Sequence, residues 1–227
     1  MKSYSKQFKN NQYNKRKKVK ILIKNIIILT ILITNFYVIP VHANATRELQ
    51  IRLKKINSFY ANFIQNVINL DGNVIQEGKG ELWIQRPNLF NWHLISPDEH
   101  FLISDGHNLW FYNPLIKQVS ITLLKETMID TPFIFITRNN SIDWKSYNII
   151  QNGNKFILKE KKSEKNFFSI TIKYNGTIQE FSTIEENGQK ISYNFKSQTT
   201  NNIDKNKFQF ILPKNVTIDD QRSNKNL

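Results

Sequence analysis

The sequence contains no cysteine at all. That excludes disulfide staples, thiol nucleophiles and thiolate metal sites, and it excludes a lipid anchor attached through an N-terminal cysteine. Histidine is scarce: His42, His93, His100 and His107 are the whole set, and none sits in an H-x-x-x-H spacing that would mark a metal site. G-x-S-x-G, G-x-x-x-x-G-K-[ST] and G-x-G-x-x-G are all missing. The carboxylate pairs Asp98/Glu99, Glu185/Glu186 and Asp219/Asp220 are sequence neighbours. Adjacent residues on a strand point to opposite faces, which makes them poor acid–base partners. The chain therefore reads as a non-enzyme without catalytic residues, metal or cofactor. It must stand on its own core.

Acidic residues are also missing from the first 43 positions, which carry nine Lys or Arg. The remaining 23 basic residues face 18 acidic ones, so the formal charge of +14 belongs mostly to that leader. An apolar run follows the basic stretch, "NIIILTILITNFYVI" from Asn25 to Ile39, then Pro40 and "VHA". The run is shorter than the roughly 18–20 residues that span a bilayer, and Val41 and Ala43 supply small residues before a cleavage point. Residues 1–43 are expected to be a cleavable signal peptide, with an uncleaved signal anchor as the alternative. The expected mature domain is 44–227, a monomer in the periplasm of a Gram-negative bacterium. Nucleic acid is not expected as a partner. The densest basic run, "KEKKSEKN" at 159–166, is interrupted by Glu160 and Glu164 and falls at a hairpin tip.

What is present is a short helix followed by many strands. "TRELQIRLKKI" (46–56) places Leu49, Leu53 and Ile56 on one helical face, with Thr46 as a cap. The period then changes to two: Phe59, Ala61, Phe63 and Val67 alternate with polar positions. Asn-Gly or Asp-Gly recurs in "DGN", "SDGHN", "NGN", "YNGT" and "ENGQ", each between alternating segments, as tight hairpins require. Strands are expected near 58–68, 74–85, 89–95, 99–104, 108–113, 117–123, 144–151, 155–161, 167–174, 177–185, 189–197 and 207–212. Such closely spaced hairpins favour an antiparallel barrel or strongly curved sheet.

"DTPFIFITRNN" (130–140) breaks the strand pattern. Asp130 or Thr131 can cap a helix, Pro132 suits its first position, and Phe133, Ile134, Phe135 and Ile136 make it apolar on all sides. It is either a helix buried in its own domain or a lid over a cavity. Trp83, Phe90, Trp92, Phe101, Trp110, Phe111, Phe133 and Phe135 each fit a packed core taken singly; as a set facing a concave sheet they suggest an apolar pocket. Beside them, Arg86 and Pro87 stand at the root of "IQRPNLFNWHL". The arginine is either solvated at an ordinary hairpin corner or a latch beside an apolar pocket.

The blocks "RELQIRLKKINSFYANFIQ", "EGKGELWIQRPNLFNWHLISPDE", "LISDGHNLWFYNPLIKQV" and "DTPFIFITRN", with the terminal "NVTIDDQR", together resemble the LolA family of periplasmic lipoprotein carriers over residues 45–222. The resemblance implies a mainly β fold: an incomplete, unclosed antiparallel β-barrel of about eleven strands with an α-helical lid over a hydrophobic cavity. It implies a chaperone that accepts acylated lipoproteins from the inner-membrane ABC transporter LolCDE and passes them to the outer-membrane receptor LolB. By resemblance Arg86 is the lid latch and Phe90 a transfer position. The cavity or transfer surface is expected to include Leu53, Trp83, Phe90, Trp92, Phe101, Trp110, Phe133, Ile134, Phe135 and Ile136. Met128 and Ile129, before the lid, are bulkier than the resemblance leads one to expect. A half-barrel sensor or lipid-binding module that does not shuttle lipoproteins, and a lipocalin-like carrier of small apolar molecules, are the alternatives.

Overall fold

The computed structural model describes residues 41–127, 134–138, 143–162, 167–185 and 187–222. Most of the expected signal segment lies outside them, as do Met128, Ile129, the expected cap at Asp130 or Thr131, Pro132 and Phe133. Residues from His42 onward belong to one compact unit.

Helix α1 runs Val41–Lys54. Ala45, Leu49, Leu53 and, just past the helix, Ile56 are all at most 2% exposed, which is the expected apolar stripe. The helix begins earlier than expected, so Thr46 lies within it and does not cap it. Its last turn tightens through Lys55 N to Arg52 O and Ile56 N to Leu53 O, at 3.2 and 3.1 Å.

A meander follows: β1 (Ser58–Ile68), β2 (Val74–Gln85), β3 (Leu89–Ser96), β4 (His100–Asp105), β5 (Asn108–Asn113) and β6 (Gln118–Leu123). Two four-residue helices come next, α2 (Leu124–Thr127) and α3 (Ile134–Thr137). A second meander is β7 (Tyr147–Asn152), β8 (Lys155–Glu160), β9 (Phe167–Ile172), β10 (Ile178–Ile184) and β11 (Lys190–Thr199). The described part of the expected 130–140 helix is thus α3, a single turn. The glycines of all five Asn-Gly and Asp-Gly dipeptides have positive φ, from +60° to +96°.

The sheet order is β12-β6-β5-β4-β3-β2-β1-β11-β10-β9-β8-β7. The two meanders join where β1 pairs with β11. The strand at one edge is β7 and that at the other is β12 (Thr217–Asp220), so the barrel is left open. β12 lies parallel to β6, while the other pairings are antiparallel. This twelfth strand was not expected. Its sequence, "TIDD", has one apolar residue and gives no alternation.

The expected strand at 207–212 is a correction. Residues Lys205–Phe208 form a 3-10 helix, and the chain beyond it is irregular up to β12. Phe208 and Phe210 are two apart, as in a strand, but Phe208 is buried against the sheet with Trp83 and Ile203, and Phe210 stacks on Trp110 at 5.1 Å. The alternation reflects packing across a sheet face rather than pairing along an edge.

The ladders sort the side chains into two faces. On the inner face a transverse row reads Phe59, Ile84, Phe90, Ser104, and the next reads Ala61, Leu82, Trp92, Leu102, Phe111. Helix α1 and α3 close on this face: Leu49, Leu53, Ile56 and Ile136 share one core with Phe59, Phe90, Phe156 and Ile170. The outer face carries Tyr60, Trp83, Asn91, Ile103, Trp110 in one row and Glu81, His93, Phe101, Tyr112 in the next. The segment after β11 crosses that face and covers it.

Candidate functional site: the lid junction and the aromatic inner face

Arg86 stands just past the end of β2, where the chain turns into β3 across the cis Arg86–Pro87 bond. Its side chain donates from Nε to the Ile136 carbonyl of α3 at 2.8 Å. Nη1 donates to the Leu53 carbonyl of α1 and, at 2.7 Å, to the Ile56 carbonyl. The last carbonyls of a helix have no partner within it, and guanidinium has donors only, so the match is chemical as well as spatial. One side chain therefore ties both covering helices to the rim of the sheet. Burial pushes the Arg86 pKa down to about 10, which still leaves the cation in place at neutral pH.

The turn that carries Arg86 is held from two sides. Arg86 N donates to Asn57 O at 2.9 Å, and Asn88 N donates to Thr137 O at 3.4 Å. Asn88 adopts φ +66°. Beneath it, the fully buried Ser104 donates from Oγ to Asn88 O at 2.6 Å and accepts from Gly106 N at 3.1 Å. This links the "RPN" turn to the "SDG" turn. Sequence reasoning missed Ser104; the signal it left was the recurrence of both blocks in one resemblance.

Below the lid the inner face is a continuous aromatic surface. Phe63 packs on Trp92 at 4.3 Å and Trp92 on Tyr193 at 4.7 Å, with Phe181 6.3 Å beyond Tyr193. Trp92, Leu102, Tyr147, Tyr193 and Phe195 are half-buried against the core and leave part of their surface open. Phe111, next to Leu102 on the same face, is 39% exposed. Tyr193 has its pKa pushed up to about 12, by burial first and Glu185 second, so the phenol stays neutral and adds no charge to the wall. Gly80 makes room for this surface: a Cβ there would run into the Phe63 ring and the His93 carbonyl.

The expected cavity residues do not all meet. Leu53, Phe90 and Ile136 lie together in the inner core, with Trp92 against it. Trp83 lies on the outer face, packed with Ile203 and Phe208. Phe101 and Trp110 are also outer: Phe101 stacks on His93 at 4.0 Å and Trp110 on Phe210. Ile134 and Phe135 belong to α3, and Phe133 falls outside the described residues. The aromatic residues are thus two sets divided by the sheet. Phe63, Tyr193, Phe181 and Phe195 also belong to the inner set; of these only Phe63 was expected to be apolar-facing, as part of the strand alternation, and none was expected in the cavity.

Among the described residues no group of three His, Asp or Glu could hold a metal ion. The arrangement offers an apolar, uncharged wall under a cover whose two helices Arg86 joins at the rim of the sheet. Such an arrangement can cover an apolar ligand.

The profile of the family described as "Outer membrane lipoprotein carrier protein LolA" matches residues 54–211. The outer-membrane lipoprotein carrier protein of Serratia proteamaculans (strain 568) is 50% identical over 201 residues, covering 88% of this chain and 99% of its own. That of Yersinia enterocolitica serotype O:8 / biotype 1B is 52% identical over 182 residues, 79% of this chain and 90% of its own. Among solved structures, an uncharacterized conserved protein from Thermus thermophilus superposes with a TM-score of 0.52 at 12% identity, over 78% of this chain and 99% of its own. That likeness speaks to the fold alone.

Proposed function

This chain belongs to the LolA family, and on that footing we propose that it is a periplasmic chaperone that carries outer-membrane lipoproteins. It accepts them as they leave the inner membrane and holds their acyl chains against the inner face of the half-barrel. The observation that carries the proposal is the Arg86 junction, in which one guanidinium joins α1 and α3 over an aromatic surface. The energetics call for such a device. Each methylene kept from water is worth about 0.8 kcal/mol, so lipoprotein acyl chains cost on the order of tens of kcal/mol to expose. A carrier must cover them and still let go.

Hydrogen bonds to a charged group contribute on the order of 1.5–3 kcal/mol each. A cover held by a few of them stays shut when the cavity is empty and opens when a ligand fills it. Reclosure of the latch then helps to expel the cargo. We read LolCDE as the donor and LolB as the acceptor. No nucleotide motif occurs in the sequence, so on this reading ATP acts at the transporter. Cleavage after Ala43 leaves Asn44 as the first residue and keeps Asn44–Lys54 of helix α1.

The test is release of an acylated lipoprotein from inner-membrane vesicles that contain the transporter and ATP. The wild-type protein is expected to yield a soluble one-to-one complex and pass the cargo to the outer-membrane receptor. Arg86→Leu is expected to accept cargo and hand it on poorly. No soluble complex with the wild type, or normal hand-on by the variant, defeats the carrier reading or the latch respectively.

A further inference from the structure

Helix α1 is fastened to the β7–β10 half of the sheet by polar contacts in which Arg86 takes no part. Arg52 is 7% exposed, although it carries a full charge on a helix otherwise buried through its apolar stripe. Its Nε donates to Glu48 Oε1 at 2.8 Å. Nη1 donates to Asn154 Oδ1, in the β7–β8 turn, and to the Ile172 carbonyl at the end of β9, both at 2.7 Å. The guanidinium lies 5.1 Å from the Phe156 ring centroid. One turn on, Lys55 Nζ donates to the Tyr174 carbonyl at 2.7 Å and sits 3.6 Å from the Tyr174 ring centroid. Between these points Gly176, at φ +93°, lets the β9–β10 turn close on the helix end. A Cβ there would stand 3.1 Å from Lys55 Cβ and 3.4 Å from the Arg52 carbonyl.

A buried cation is tolerated only where its donors are matched, and breaking one partner away leaves a desolvated charge behind. Arg52 meets a carboxylate, an amide oxygen and a carbonyl; Glu48 travels with the helix, so lifting α1 off the barrel breaks the bonds to Asn154 and the Ile172 carbonyl and the Phe156 contact together, and a partial lift that keeps the guanidinium covered strips it of two acceptors. Two ties of α3 are of another kind. Ile136 O and Thr137 O are both held from the β2–β3 turn, by Arg86 and by Asn88 N at 3.4 Å. Losing the Ile136 carbonyl still leaves Arg86 bonded to Leu53 O and Ile56 O.

We infer that Arg52 is a positioning residue that makes α1 the fixed half of the cover, so that opening is the departure of α3 alone, with Arg86 kept on the α1 carbonyls. This deepens the carrier reading and rests on it for why a cover opens, but its test needs no cargo. Failure of the carrier reading shows in the vesicle assay, and failure of this inference shows in the lid itself.

The absence of native cysteine permits paired nitroxide labels at chosen sites. One pair, Lys54→Cys with Asn175→Cys, spans α1 and the β9–β10 turn. The other, Arg138→Cys with His107→Cys, spans the end of α3 and the β4–β5 turn. Distance distributions by electron–electron resonance are taken for each pair with otherwise wild-type sequence and with Arg86→Leu or Arg52→Lys added. Arg86→Leu is expected to broaden the 138/107 distribution and leave 54/175 unaltered. Arg52→Lys, which keeps the charge and loses the fork, is expected to broaden 54/175 although Arg86 is intact. If Arg52→Lys does not fold, Asn154→Ala removes one acceptor from an exposed turn and is expected to broaden 54/175 to a smaller extent. Equal broadening of both pairs by Arg86→Leu overturns the inference. So does a lower melting temperature from the Arg52 or Asn154 change with 54/175 left narrow, since that is what a merely structural role produces.

Discussion

Trp83 and Trp92 occupy neighbouring, hydrogen-bonded strands and point to opposite sides of the sheet. Leu82 pairs with Trp92 and Trp83 pairs with Asn91, so a one-residue offset in register separates the two indoles. Trp92 rests on Phe63 and Tyr193 within the inner face, while Trp83 packs with Ile203 and Phe208 under the C-terminal segment and has Lys207 Nζ 4.4 Å above its ring.

That division gives the first prediction. Trp83→Ala is expected to lower unfolding free energy by about 3 kcal/mol, as loss of a buried aromatic does, with uptake of an apolar fluorophore unchanged. Trp92→Ala is expected to cost less stability, because the ring is only half-buried, and to weaken fluorophore uptake several-fold. Urea melts and fluorophore titration of both variants decide it; loss of uptake in Trp83→Ala counts against the two-face division.

Much of this was legible in the sequence because hairpin turns and strand alternation are local. Eleven of the twelve expected strands appear close to their expected bounds, and each Asn-Gly or Asp-Gly dipeptide marks a turn. The face on which an aromatic lands is not local. It depends on register between strands, so Trp83, Phe101 and Trp110 were grouped with Trp92 when the ladder sets them apart. Residues 207–212 misled for a related reason, since an extended segment laid over an aromatic face shows the same period as a paired strand. Arg86 was conspicuous as a charge beside a proline and two aromatics. Arg52 was not, because an arginine in an amphipathic helix ordinarily faces water.

Gly80→Ala is expected to destabilise the protein by about 2 kcal/mol, within the usual cost of overpacking. Neither obstacle to the added methyl is a flexible chain end: one is the Phe63 ring, wedged against Trp92 at 4.3 Å, and the other is the His93 main chain. Gly72→Ala serves as a comparison, for nothing lies within 4 Å of its added Cβ and only the φ of +84° opposes it. Denaturant melts should rank Gly80→Ala as the more damaging; the reverse order defeats the wedge.

The latch is expected to be insensitive to pH across the range in which the protein works. Burial lowers the Arg86 pKa to about 10, so below that pH folded and unfolded chains bind the same proton and this group gives stability no slope. Above it, the unfolded chain holds the proton more strongly, and the group's contribution to folding rises with pH towards the ordinary arginine value. The stability difference between wild type and Arg86→Leu should therefore be constant from about pH 6 to 9, measured by thermal melts at matched ionic strength. A difference that changes steadily over that interval shows that another titrating group shares the latch.

Ser104→Ala is expected to reproduce part of the Arg86→Leu behaviour without touching the arginine. The Ser104 hydroxyl holds Asn88 O at 2.6 Å and receives Gly106 N at 3.1 Å, so its loss leaves an acceptor and a donor unmatched inside the protein. The cost in stability is on the order of 1–3 kcal/mol. Asn88 in turn meets Thr137 O of α3 and lies two residues from Arg86, so a slack turn loosens both ties to α3 together. Passage of cargo to the outer-membrane receptor should fall in the same direction as for Arg86→Leu and by a smaller factor, while uptake from vesicles persists. Adding Ser104→Ala to Arg86→Leu should then lower hand-on little further, because the turn acts through the latch. Full additivity in that double variant assigns Ser104 to stability alone.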